Sequence, residues 1–180
     1  MIQRRYCIAI AAAMACSSSA FAGPLRVDIG ADNGRTDVLA PRAEQWLLKE
    51  PDSFTATFDE LRLTLRSDGE TKAVLNKAGI DTGATFTCDG VAGAPGESIE
   101  LVISGLPAGR HTLATWHNIT DARGGASAVR VGIDGDTGAT VRQSQRVDFD
   151  ADAATSFVSF DAETGKDVVV SITPIDKGIA

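Results

Sequence analysis

Strict alternation of apolar and polar residues constrains this chain more than any other feature. "LRLTLRS" sets Leu61, Leu63 and Leu65 against Arg62, Thr64 and Arg66, and "SIELVISG" puts Ile99, Leu101 and Ile103 on one side. Successive side chains of an extended strand point to opposite faces, so a period of two marks a strand with one face on a core. The pattern recurs in "LRVDIG", in "SFTATF" with Phe54, Ala56 and Phe58 on one face, and in "TFTCDGV", "HTLATWHN" and "AVRVGID". "ATVRQSQRVDF", "TSFVSFDA" and "DVVVSITP" continue it to the end of the chain. Between these runs lie Asp-Gly, Gly-Asp, Thr-Gly and Pro-Ala-Gly, residues that supply the positive backbone angles of tight turns. About ten short strands so punctuated predict an all-β chain, an antiparallel β-sandwich of the jelly-roll type. One stretch departs from the pattern. "PRAEQWLLKE", residues 41–50, begins with Pro41, which suits a first helical turn, and stops before Pro51. It predicts one short helix or an ordered loop, with Trp46 as a core anchor against a sheet.

Residues 1–22 stand apart from this fold. A basic "MIQRR", an apolar "CIAIAAAMA" and a small-x-small "AFA" before Gly23 predict an export signal cleaved after Ala22. The apolar run is shorter than the roughly 20 residues that span a bilayer, and no later run reaches that length. "AMACSSS" around Cys16 is a rival, lipoprotein-type processing site, but Ala13 stands where a leucine-like residue is expected. The expected product is therefore a single β-sandwich domain, residues 23–180, secreted or periplasmic. Its 180 − 22 = 158 residues are enough to bury a core. Removal of Arg4 and Arg5 takes the charge to 15 − 24 = −9, which disfavours nucleic acid, anionic membrane and acidic polysaccharide as partners. Cys7 and Cys16 leave with the signal, so Cys88 has no intrachain partner. Its place in an alternating run predicts a buried free thiol.

Catalytic motifs are missing. The sequence holds no G-x-S-x-G elbow, C-x-x-C pair, H-E-x-x-H helix or phosphate-binding glycine loop, and the single tyrosine, Tyr6, lies in the export signal. A non-catalytic protein is expected. Both histidines fall in "GRHTLATWHN", six residues apart on one strand face with Leu113 and Thr115. Their Cα atoms would be about 20 Å apart, too far to share a metal ion. His111 reads as a hydrogen-bonded packing residue. Trp116, His117 and Asn118 run into the "ITDARGGA" loop with Asp121. Indole, imidazole, amide and carboxylate are groups that stack on a pyranose and bond its hydroxyls. The same residues equally suit a Trp116 that fills the core and an Asn118 that starts a turn. Asn118-Ile119-Thr120 also spells a glycosylation acceptor, a chance match behind a bacterial type of signal. "DIGADNGRTD" offers Asp28, Asp32, Asn33 and Asp37 as oxygen ligands for a structural calcium ion. "GIDGDTG" carries Asp134 and Asp136 but has Gln145 at the twelfth loop position, so it reads as a hairpin turn.

In their order, "RVDIG", "FTATFDELRLTL", "CDGV", "IELVISGLPAGRHTLATWHN" and "FVSFDAETGKDVVVSITP" resemble the malectin-like, or galactose-binding-like, β-sandwich domains at the front of secreted bacterial polysaccharide-degrading enzymes. The resemblance covers nearly all of residues 23–180. It implies a jelly roll that binds a polysaccharide or oligosaccharide without catalysis, beside a catalytic domain that would be encoded downstream. With two tryptophans and no tyrosine after the signal, a single sugar or short chain in a loop-lined cleft is expected rather than a broad stacking platform. A structural or adhesion-type interaction domain is the alternative, as is the accessory front domain of a truncated polysaccharide lyase or hydrolase.

Overall fold

The computed structural model describes residues 24–31, 40, 42–48, 54–67, 72–75, 84–87, 89–92, 96–119 and 127–175. The expected export signal, Cys16 and Cys88 lie outside them, as do Asp32, Asn33, Asp37 and Asp121. The alternating runs become strands. A six-stranded antiparallel sheet runs in the order β10 (Asp136–Arg142), β9 (Ala128–Ile133), β13 (Val168–Pro174), β7 (Ile99–Ser104), β4 (Leu61–Ser67) and β3 (Thr55–Phe58). A smaller sheet consists of β11 (Ser144–Gln145), β8 (Gly109–Ile119) and β12 (Ala154–Ala162). Two further pairs flank them: β1 (Val27–Ala31) with β2 (Glu44–Leu48), and β5 (Lys72–Leu75) with β6 (Asp89–Ala92). The only helical element among the described residues is a 3-10 turn at Asp150–Asp152.

The layers face each other across one core. Leu61, Leu63 and Leu65, then Ile99, Leu101 and Ile103, then Val168, Val170 and Ile172 point inward from the large sheet, against Leu113, Val158, Phe160 and Ala162 of the small one. Val27, Ile29, Trp46 and Leu48 join the same cluster from β1 and β2. This is an all-β sandwich, as the alternation predicts. Most strand pairs are antiparallel, but β1 with β2 and β11 with β8 are parallel.

Two local expectations are corrected. Residues 44–48 form a strand, not a helix. Trp46 and Leu48 are both buried while Glu44 is exposed. Two residues apart on a helix would diverge by about 200°, whereas a strand sends both to one side. Pairing with β1 thus buries both against the core, where Trp46 meets Phe58 edge-on at 6.5 Å. Its role as a core anchor stands without the helix. In "TFTCDGV", Thr85–Thr87 form a turn, and β6 starts only at Asp89.

Strand β10 passes close to β12 at Gly138. The β9–β10 register is irregular between Thr137 and Ala139, and a Cβ at Gly138 would collide with the Val131 carbonyl oxygen and come within 3.1 Å of Val158 Cγ1. Gly138→Ala should therefore lower stability by about 1–3 kcal/mol, the usual cost of forcing atoms into a filled space. Urea unfolding of the variant checks this; a stability equal to wild type would contradict so close an approach.

Candidate functional site

Strand β8 carries both histidines and Trp116, and its register with β12 decides which way each points. Nine residue pairs run from Gly109↔Ala162 to His117↔Ala154. His111, Leu113, Thr115, His117 and Ile119 turn inward, and Arg110, Thr112, Ala114, Trp116 and Asn118 turn outward, by the parity of a strand.

The inner side mixes apolar packing with buried polar groups. His111 is 1 % exposed, its Nε2 donates to the Pro107 carbonyl oxygen at 2.9 Å, and its ring stacks on Phe160 at 5.8 Å. It is the hydrogen-bonded packing residue that the sequence suggests. Further along, Thr115 Oγ1 lies 2.8 Å from His117 Nε2 and 2.6 Å from Ser156 Oγ, and the third side of this triangle, His117 Nε2 to Ser156 Oγ, is 3.2 Å. A histidine beside two hydroxyls suggests nucleophilic catalysis, but Thr115, His117 and Ser156 are all buried, so no substrate carbonyl can reach them from the surface. Burial holds the His117 imidazole down to about 4, well below the ordinary histidine range. It is neutral at physiological pH.

Asn118 faces outward yet is 1 % exposed. Its Nδ2 donates to the Thr87 carbonyl oxygen at 2.9 Å, and its Oδ1 accepts from Ser144 Oγ at 3.1 Å and Val147 N–H at 3.4 Å. Asp150 Oδ1 accepts from Phe86 N–H and Thr87 N–H at 2.9 Å and from Thr87 Oγ1 at 3.0 Å. Together these two side chains clamp the 85–87 turn, and the clamp lays Phe86 edge-on against the Trp116 indole, 5.0 Å away at 87°. Ala40 and Ala43 complete this small outer cluster, with Trp116 left half-buried. His117 is therefore buried inside the sandwich, and Asn118 is buried on the outer side beneath the 85–87 turn. Only Trp116 of the three keeps an open surface.

Asp28 is held beneath the same cluster. It is 2 % exposed and its Oδ2 accepts from Ala40 N–H at 2.9 Å. Burial pushes its carboxyl up to about 6, partly offset by hydrogen bonds from Ala40 and Gln45, while the nearby Asp150 charge adds to the rise. Of the four calcium candidates it alone is described, and no group of three or more acidic, histidine or cysteine side chains positioned for a metal ion occurs among the described residues.

The outer face holds a feature not singled out from the sequence. Phe157 is 68 % exposed in the middle of β12, opposite the small Ala114. Trp116 is its diagonal neighbour, about 7–8 Å away by ordinary sheet geometry. On its other side the Thr112 and Ser159 hydroxyls meet at 2.9 Å. Ser159 and Asp161 also line a cleft of about 280 Å³ where β12 meets the β9–β10 turn, with Asp134, Asp136 and Thr137 on the other wall. Parity could have found Phe157: in "SFVSF" the two phenylalanines are three residues apart, so one must face outward.

Comparison of the chain with family models, with curated proteins and with solved structures gives no match. Among the described residues, no helix is long and apolar enough to cross a membrane.

Asp28 and His117 make opposite demands on pH. The His117 contribution is complete above the unfolded histidine pKa of 6.5 and is lost as pH falls through about 4. The Asp28 contribution is complete below the unfolded value of 3.8 and is lost as pH rises through about 6. Between pH 6 and 4 the two slopes oppose each other, each at up to about 1.4 kcal/mol per pH unit. Relative to wild type, Asp28→Asn should lose stability on acidification across this window, and His117→Gln should gain it. Chemical denaturation at several pH values reads both, and parallel curves for all three proteins would contradict the assignment.

Proposed function

We propose that the domain binds a short neutral glycan, without catalysis, on the outer face of β8 and β12. The observation that carries this reading is the exposed Phe157 ring, set between Trp116 and the Thr112–Ser159 hydroxyl pair. An aromatic face offers apolar contact to the C–H side of a pyranose, and flanking hydroxyls exchange hydrogen bonds with its hydroxyl groups. The cleft beside Ser159 adds carboxylate acceptors at one end of the strip. Those carboxylates, with a net charge of −7 over the chain, argue against uronic acid polymers. The export-type start of the sequence and its resemblance to malectin-like domains of polysaccharide-degrading enzymes support the same reading.

This site differs from the one suggested by the sequence in being a strip along a sheet rather than a cleft among loops. Trp116 is common to both. Because Trp116 also packs on Phe86, its truncation mixes folding with binding, and Phe157 is the cleaner probe. Phe157→Ala should reduce affinity for a bound glycan about 10-fold or more, equivalent to some 1.4 kcal/mol or above, with the thermal midpoint nearly unchanged. A panel of immobilised neutral and acidic glycans, probed with wild type and variant, tests this. Retained glycan binding by Phe157→Ala would place the site elsewhere; absence of any glycan binding, with Phe157-dependent capture of a protein instead, would favour an adhesion-type domain.

A further inference from the structure

Exposure along the outer face of β8 and β12 falls in one direction. Arg110, Ser159 and Asp161 are exposed at one end, and Phe157 is exposed midway. Trp116 and Thr155, paired across the strands, are half-buried, and Asn118 beyond them is fully buried although it faces outward. Only the small Ala114, opposite Phe157, is buried out of turn. The loss of exposure has a visible cause, since the 85–87 turn lies over that end of the sheet. The Thr87 carbonyl oxygen accepts from Asn118 Nδ2 at 2.9 Å, and the Phe86 and Thr87 N–H groups donate to Asp150 Oδ1 at 2.9 Å. Phe86 and Ala40 then stand against Trp116. The opposite end is open, and there Ser159 and Asp161 line the cleft of about 280 Å³.

The groups suited to a sugar follow one another along the strands. Trp116 comes first, then Phe157, then the Thr112–Ser159 hydroxyl pair, then Asp161 at the cleft. Trp116 lies six residues from Arg110, about 20 Å at the rise of a strand. Crosswise there is less to meet, because β11 pairs with β8 only at Asn118 and Ile119, which leaves the three-stranded sheet two strands wide at Phe157. A ligand that uses several of these groups therefore lies lengthwise and runs into the turn. Pushing the turn aside would take the Thr87 carbonyl from the buried Asn118 amide, and a buried donor deprived of its partner is costly.

Resting on the glycan reading above, we propose that the strip recognises the end of a glycan chain rather than its interior. The terminal sugar stops against Phe86 and Ala40 beside the Trp116 indole. The rest of the chain leaves over Phe157 and past Ser159 toward the open end. A chain continuing in both directions would have to occupy the volume that Phe86 and Ala40 fill. The two ends of a linear glycan differ chemically, one reducing and one not, so a single end fits and each chain takes up one protein molecule.

Binding stoichiometry against chain length tests this. The full chain is titrated calorimetrically with linear neutral glucan, mannan and xylan oligosaccharides of graded length, and with their soluble polymers. Recognition of an end gives one protein molecule per glycan chain at every length, with an affinity per chain that levels off once the strip is filled. A number bound that rises in proportion to chain length means that interior sugars are held; it overturns the inference and leaves the glycan reading standing. Absence of binding to every one of these glycans defeats the glycan reading itself, and the inference with it. Phe157→Ala shows whether the end is read on this face. It should weaken the one-per-chain binding about 10-fold or more, and binding equal to wild type would overturn the proposal.

Discussion

The antiparallel pairing of β8 with β12 sets the side of the small sheet on which the two histidines, Trp116 and Phe157 lie. A one-residue slip of β12 along β8 would send Val158 and Phe160 to solvent and bring Phe157 inside. The apolar residues of the large sheet forbid that slip, because they need a matching apolar surface opposite. Register is thus enforced by the core. The outer strip is a consequence of it, and its aromatic exposure follows from strand parity rather than from any loop.

A second constraint shapes that strip. Asn118 and Asp150 grip one turn, and Asp28 grips the backbone at Ala40, so that Phe86 and Ala40 close over one end of the outer face. The indole of Trp116 is held by an edge contact from Phe86, which limits its rotation without covering it fully. The Phe157 end stays open. Groups that could have contacted a ligand directly, the Asn118 amide above all, are used to position the aromatic pair. The acidic side chains that could have held a metal include one, Asp28, already bonded to its own chain.

Much of this was legible in the sequence, for a physical reason. Where one face of a strand meets a core and the other meets water, composition alternates, and Leu61–Leu65, Ile99–Ile103 and Val168–Ile172 show it plainly. The grouping of His111 with His117 on one face, and of Trp116 with Asn118 on the other, is legible by the same parity. What was hidden depends on partners distant in sequence. Glu44–Leu48 is too short to show a period, and Pro41 and Pro51 suit a helix as well as a strand bounded by turns; only the pairing with β1 settles it. Asn118 looks available until Thr87, 31 residues away, is seen to take its amide. The triangle of Thr115, Ser156 and His117 likewise joins two strands 41 residues apart. The exposure of Phe157 was readable but is easily passed over, since a phenylalanine in an alternating strand suggests the core.

The proposed glycan site occupies the outer face of β8 and β12. Its most direct test is amide and aromatic chemical-shift mapping of the labelled chain as short neutral oligosaccharides are added. Shifts should concentrate at Thr112, Ala114, Trp116, Thr155, Phe157 and Ser159, with the inner-face His117 and the distant β3–β4 hairpin unmoved. Saturable shifts centred on any other face would contradict it.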